Sequence, residues 1–384
     1  MSARIRTTLI AATAVALTAA LAAPAIAAAP ARGAAGHDAT RRAVEAAIAD
    51  GVPGATLTAK DRHGTWSTTA GVGNLKTGAP RSAQDRYRAG SITKTFVATV
   101  LLQLEAEGRL SLDDKVEKWL PGAVRGHGHD GRAITLRQLL NHTSGVYNYT
   151  NDDTFIRDHF TKDGFSEHRY DRWTPEALLA VAMSHKPAFA PGTSWGYSNT
   201  NYLLATMVIK KVTGHAYGAE IRARIIEPLH LTGTSVPGNR VTVPQPSSRA
   251  YSKLAASTTG PTYDVTTLNP SMAYGSGELI SDSADLNRFY SALLRGRLLP
   301  PQQLKEMKTT VKVPIAAHAR YGLGLADLTL PCGVHVWGHD GGIHGSSSQA
   351  VTTADGRHSL AFNFNGDWAA DSDAVMAAEF CGTR

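Results

Sequence analysis

The stretch Arg88-Ala-Gly-Ser-Ile-Thr-Lys-Thr-Phe96 sets Ser91 and Lys94 three residues apart, where an extended segment gives way to a helix. Phe96, Val97, Val100, Leu101 and Leu104 recur at helical spacing and predict a helix with one buried face. Gly108 supplies its C-terminal stop. Residues three apart on a helix share a face, so Ser91 and Lys94 point the same way. Ser91 then stands at the helix N-terminus, where the macrodipole favours developing negative charge. A serine hydroxyl is a weak nucleophile until a neighbour takes its proton, and a desolvated lysine can do so. The same pattern also describes an N-capping serine followed by a solvated lysine. This is the only Ser-x-x-Lys in the chain, and its meaning depends on what accompanies it.

The 384 residues, 42% of them hydrophobic, suffice for one large domain or two, with disorder expected only at the ends. Arg4 and Arg6, the apolar run Leu9 to Leu21 and the small-x-small site Ala25-Ile-Ala27 read as a secretory signal over residues 1–27. The apolar run is too short for a membrane anchor. Residues 28–36 read as a disordered lead, and the rest, 37–384, as one catalytic domain. A secreted protein without a stable membrane anchor is expected. The formal charge of +7 comes without a dense basic cluster interleaved with aromatics, which argues against a nucleic-acid partner. The two cysteines, Cys332 and Cys381, predict one disulfide in an exported chain. Two cysteines also leave no cysteine-based zinc site, and no metal or other cofactor is expected. His127, His129 and Asp130 cluster in a polar glycine-rich loop and are set aside as metal ligands.

Taken in order, Asp38 to Asp50 is an amphipathic helix, and Ala55–Lys60 and Thr65–Ala70 form a hairpin. Helices follow at Thr135–Asn141, Thr174–Ser184, Tyr202–Thr213, Tyr217–Ile226, Ser283–Leu294 and Pro301–Met307, with residues 147–173 read as loop. Tyr321–Leu325, Val334–Trp337, Ser348–Thr352 and Ser359–Phe364 read as strands, and Ala369–Phe380 as a last helix. Strands at both chain ends with helices between them indicate an α+β fold. Its mostly antiparallel sheet is built from both termini and covered by helices, with an all-helical lobe inserted. The sheet lobe spans about 37–108 and 310–384, and the helical lobe about 109–309.

Two further elements carry chemistry. Tyr197 and Asn199 lie in the loop Pro191–Asn201, ahead of a long apolar helix. A tyrosine held between cations can act as a general base, and an asparagine can hydrogen-bond the lysine or a substrate amide. Tyr149 and Asn151 repeat the spacing, but Tyr197 has the better-defined perch. In Val334-His-Val-Trp-Gly-His-Asp-Gly-Gly342 a strand runs into glycines, which permit close ligand approach and leave N–H groups for an oxyanion. His339 is the polar group offered there.

In this order the three elements resemble the serine penicillin-recognising hydrolases, the secreted serine D-alanyl-D-alanine carboxypeptidases and class C β-lactamases. Ser91-Ile-Thr-Lys94 is similar to the family's Ser-x-x-Lys, Tyr197-Ser-Asn199 to its Tyr-x-Asn, and His339-Asp-Gly341 to its His-x-Gly. Leu139–Gly145, Thr213-Gly-His215, Tyr321–Leu325 and Phe380-Cys-Gly382 extend the likeness across nearly all of residues 38–382. The resemblance implies that Ser91 is acylated, that Lys94 and Tyr197 shuttle its proton, and that Asn199 holds the substrate amide. It implies an oxyanion hole from the backbone N–H groups of Ser91 and Gly342, and a His339 facing the substrate. The substrate implied is a small peptide or ester, with peptidoglycan stem peptides and β-lactams as candidates, and a monomer is expected. There are departures. Gly342 stands where the carboxypeptidases carry threonine, Met272 near an expected tryptophan, and Ala326 near an expected arginine. The threonine and arginine grip the substrate's terminal carboxylate, and Arg320 is the candidate replacement. The primary expectation is therefore a D-alanyl-D-alanine carboxypeptidase-type peptidase. An esterase or D-aminopeptidase of the same fold, or a penicillin-binding module without turnover, stands beside it.

Overall fold

The computed structural model describes residues 36–255, 259–368 and 371–382. The signal and nearly all of the lead read from the sequence lie outside the described residues. An eight-stranded antiparallel sheet forms the frame. Its strands are β1 (Gly54–Asp61), β2 (Gly64–Gly71), β3 (Val311–Lys312), β4 (Ala319–Tyr321), β5 (Ala326–Thr329), β6 (His335–Ile343), β7 (Ser346–Thr353) and β8 (Ser359–Phe364). They lie in the order β2-β1-β8-β7-β6-β5-β4-β3. The N-terminal hairpin therefore joins the C-terminal strands through β1 and β8, with Ala55 opposite Phe364. This is the sheet from both chain ends that the alternating patterns predict.

One face of the sheet is covered by α1 (Asp38–Ala49) and the C-terminal helix, with Val44, Leu57, Val336, Phe362 and Met376 in a shared core. The other face carries the larger core, built around α2 (Thr93–Ala106), α3 (Asn199–Thr213) and α4 (Ser283–Leu294). Helix α4 packs across β8, β7 and β1. Helix α2 packs against α3. Thr93 through Leu102 are all buried, so the first ten residues of α2 have no solvent face, contrary to the one-sided burial expected from its apolar spacing. A helix enclosed on all sides desolvates whatever polar group it carries, and α2 carries Lys94.

Three local expectations are corrected. Residues 147–173 contain helices Asp153–Phe160 and Lys162–His168. Asp152 and Thr161 cap them through Phe155 N and Gly164 N, and single buried phenylalanines, Phe155 and Phe165, anchor them. One apolar anchor per short helix leaves too little periodicity to read. Tyr321–Leu325 is not a strand but the turn from β4 to β5, with Gly322 N bonded to Leu325 O and Gly324 at φ +66°. The strand before the glycines does not stop at Trp337. It runs through them to Ile343, with Gly342 opposite Ser347.

Cys332 and Cys381 are bonded, tying the β5–β6 turn to the last helix, α5 (Ser372–Cys381), across a separation of 49 residues. In the chain-entropy treatment a loop of this size contributes about 4 kcal/mol. Replacing both cysteines by serine should lower unfolding stability by that order, measured as the shift of the urea midpoint. An unchanged midpoint would contradict the assignment.

Candidate active site

Ser91 lies in a single 3₁₀ turn, Gly90–Ile92, between the strand segment Tyr87–Arg88 and α2. Gly90 has φ +56°, a left-handed conformation that favours glycine. The turn is pinned on both sides. Ala89 N donates to Leu279 O, and the Thr93 hydroxyl donates to Gly90 O while accepting from Leu279 N.

One turn further on, Lys94 is fully buried, 0% exposed, yet its ammonium group has three partners. Nζ lies 2.9 Å from Ser91 Oγ, 2.8 Å from Asn199 Oδ1 and 2.8 Å from Ser276 O. Burial pulls its pKa down to about 7, with the Asp340 carboxylate opposing that shift. The Asn199 and Ser276 oxygens only accept. A neutral amine has two N–H donors and one lone pair. With both donors committed, the lone pair is left for Ser91 Oγ. In its neutral form Lys94 can then accept a proton from Ser91.

Tyr197 joins the same centre. Lys94 Nζ sits 4.7 Å from its ring centroid, which places the Tyr197 side chain beside the Ser91–Lys94 pair. Desolvation holds the Tyr197 pKa well above the ordinary phenol value, so Tyr197 is neutral at pH 7 and can donate a proton. His142 supports the loop from beneath. Its Nδ1 accepts from Ser198 N and Asn201 Nδ2, and its ring lies 4.3 Å from that of Tyr197. Burial keeps His142 neutral, its pKa far below the usual histidine value. The competing Tyr149 hydroxyl is committed to Met272 O at 2.9 Å.

Asn199 is the first residue of α3, which begins one turn earlier than its apolar pattern suggests. Its Nδ2 donates to Thr150 Oγ1 at 3.2 Å while its Oδ1 receives Lys94. The amide oxygen thus holds Lys94, one of the two uses open to it from the sequence, while its nitrogen is engaged by Thr150.

Strand β6 closes the site. Gly341 lies so near the nucleophile turn that a Cβ there would fall 1.9 Å from Ala89 O and 3.1 Å from Ser91 N. A Cβ on Gly90 would fall 2.7 Å from Gly342 N. The backbone nitrogens of Ser91 and Gly342 are therefore neighbours, and only glycines at 90 and 341 allow the approach. His339 departs from expectation. It is 1% exposed, with Nε2 2.8 Å from the Tyr321 hydroxyl and Nδ1 2.6 Å from Asp340 O. Both nitrogens are occupied, and the ring packs behind Tyr197 rather than facing the opening. Its neighbour Asp340, by contrast, has a side chain that is 78% accessible. Arg320, the candidate carboxylate anchor, is bound to Thr310 instead.

Sequence reasoning missed Ser276, His142 and the site role of Tyr321. Ser276 acts through a backbone carbonyl, which no side-chain pattern marks. The other two lie inside stretches read for their resemblance or secondary structure, not for chemistry.

The profile of the Beta-lactamase family matches residues 40–378. The chain belongs to that family and is a serine hydrolase of the β-lactamase and penicillin-binding-protein fold. Penicillin-binding protein 4* of Bacillus subtilis (strain 168) is 26% identical over 327 residues, 81% of this chain and 68% of that protein. Among solved structures, a D-stereospecific amidohydrolase from Streptomyces sp. is 62% identical with a TM-score of 0.86, covering 91% of this chain and 99% of that one. The D-amino acid amidase of Ochrobactrum anthropi SV3, in complex with D-phenylalanine, is 26% identical with a TM-score of 0.77, covering 90% and 99%.

Proposed function

We propose that this protein is an exported D-stereospecific amidohydrolase that cleaves amides of D-amino acids through an acyl-serine intermediate. The observation that carries the chemistry is the three-point hold on Lys94, which leaves its lone pair for Ser91. Ser91 Oγ attacks the amide carbonyl carbon and its proton passes to Lys94. The oxyanion is received by the N–H groups of Ser91 and Gly342. As the tetrahedral species collapses, the Tyr197 hydroxyl protonates the leaving nitrogen and is reprotonated from Lys94. Water then attacks the ester by the reverse route and frees the acid.

Two things favour an amide of a D-amino acid over a D-alanyl-D-alanine carboxypeptidase substrate. The structural relatives at 62% and 26% identity are named for D-stereospecific amide hydrolysis. The features expected to grip a terminal carboxylate are also missing: Gly342 and Ala326 replace the threonine and arginine, and Arg320 is engaged elsewhere. The Cys332–Cys381 bond supports export into an oxidising compartment.

The test is a comparison of D- and L-phenylalanine amide with D-alanyl-D-alanine. The expected result is at least a hundredfold higher kcat/KM for the D-amide than for its enantiomer. Turnover of D-alanyl-D-alanine but of neither amide would return the assignment to the carboxypeptidase type.

A further inference from the structure

Two cavities meet at Gly342. One, of about 70 Å³, is lined by Ser91 and Asn199 together with Tyr149, Phe160, Met272 and Ile343. The other, of about 300 Å³, is lined by Ala326, Asp340, Gly341, Ser347, Gln349 and Asp373. A substrate whose carbonyl oxygen sits on Gly342 N–H therefore extends both ways along β6. The first cavity holds the nucleophile and an apolar wall. The second begins on the Asp340 side, and the Asp340 carboxylate acts electrostatically on both Lys94 and Tyr197, the proposed donor to the leaving nitrogen. On the mechanism above, the second cavity is thus the leaving-group side.

Its chemistry is acidic. Among the described residues, no lysine or arginine lines it, and the ion pair recorded for Asp340 is with His339 Nδ1 at 3.3 Å. Gln349, cross-strand from Asp340 and 3% exposed, lines the same cavity with a side-chain nitrogen that has no partner. A carboxylate accepts N–H groups and an amide nitrogen donates to a carbonyl. Together they suit a neutral or cationic amide-type leaving group. A carboxylate placed there meets like charge at short range and no compensating cation.

We propose that Asp340 is a specificity-determining residue: it selects leaving groups that lack a carboxylate and admits neutral or amine-bearing ones. The proposal deepens the amidohydrolase reading and rests on its orientation of the leaving group. The charge effect itself is testable without amide turnover. It predicts that substrates ending in a free D-carboxylate are rejected by repulsion, and not only by the loss of a grip.

The experiment measures acylation of Ser91 by intact mass with two reagents, benzylpenicillin, which carries a carboxylate, and neutral phenylmethylsulfonyl fluoride. Wild type, Asp340→Asn and Asp340→Lys are compared, with melting temperatures as the folding control. Any change in Lys94 basicity acts on both reagents, so the ratio of the two rates isolates the carboxylate. The expected result is a rise in the penicillin-to-sulfonyl-fluoride ratio of roughly tenfold in Asp340→Asn and more in Asp340→Lys. A ratio unchanged within twofold overturns the proposal, as does the absence of a penicillin adduct on all three forms. In parallel, kcat/KM is measured for D-alanyl-D-alanine amide and the free dipeptide. The amide is expected to be preferred by wild type, and the preference to narrow in Asp340→Asn. If wild type cleaves neither this amide nor simple D-amino-acid amides, the amidohydrolase reading fails, while the acylation ratio still decides the role of Asp340.

Discussion

Ser91→Ala is expected to lower amide turnover by roughly 10⁴-fold or more while leaving the fold intact. The hydroxyl is the only atom lost, and its structural role is small. It is hydrogen-bonded to Lys94 Nζ at 2.9 Å, and Lys94 retains Asn199 and Ser276 as partners without it. Removal of one such bond changes stability by about 1 kcal/mol. The turn itself is held by Ala89, Thr93 and Leu279, none of which the substitution touches. The decisive measurement is initial rate together with the mass of the enzyme after reaction with an acylating substrate. The variant should show no adduct and a melting temperature within a few degrees of wild type. A Ser91→Ala enzyme that turned over at the wild-type rate would remove Ser91 from the mechanism.

The parts of this site that sequence discloses are those in which residue type and spacing carry the geometry. Ser91 and Lys94 stand one helical turn apart, and the structure joins them at 2.9 Å. Tyr197 could be preferred over Tyr149 because a glycine-bearing loop and a long helix frame it. The joining of β1 to β8 followed from strand patterns at both chain ends. What escaped was set by context. His339 has the same neighbours in sequence whether it faces the opening or Tyr321, and only packing decides between them. Asn199 was left open between the lysine and a substrate amide because an amide can bond either. Its partners, Lys94 and Thr150, lie 105 and 49 residues away. The helices within 153–168 were missed because they draw stability from caps and from one phenylalanine each, not from a periodic face.

Burial of α2 makes the behaviour of Lys94 a joint test of fold and mechanism. Its amine loses its proton near pH 7 because this part of the helix is enclosed on every side. The base form is therefore populated above about pH 7, and kcat/KM should rise through that value to a plateau on the alkaline side. Lys94→Met should remove this limb and lower the rate by roughly 10³- to 10⁴-fold, since the proton acceptor is gone. The same substitution has a stability signature with a definite sign. In the unfolded chain the lysine titrates near its ordinary value of 10.5, and in the folded protein near 7. Between these values the unfolded chain binds a proton that the folded one does not, so wild-type stability rises with pH across that window. Below about pH 7 both states are protonated, and the full penalty of a buried ammonium group is present. The methionine variant escapes it, but leaves the Asn199 and Ser276 oxygens without their donor. Its absolute stability thus combines two opposed effects, whereas the pH dependence of the difference has one source. The melting temperature of Lys94→Met minus that of wild type should be largest at pH 6 to 7 and fall steadily toward pH 10. A difference that stayed flat across this range would mean that Lys94 is charged at neutral pH, and the proton of Ser91 would need another acceptor.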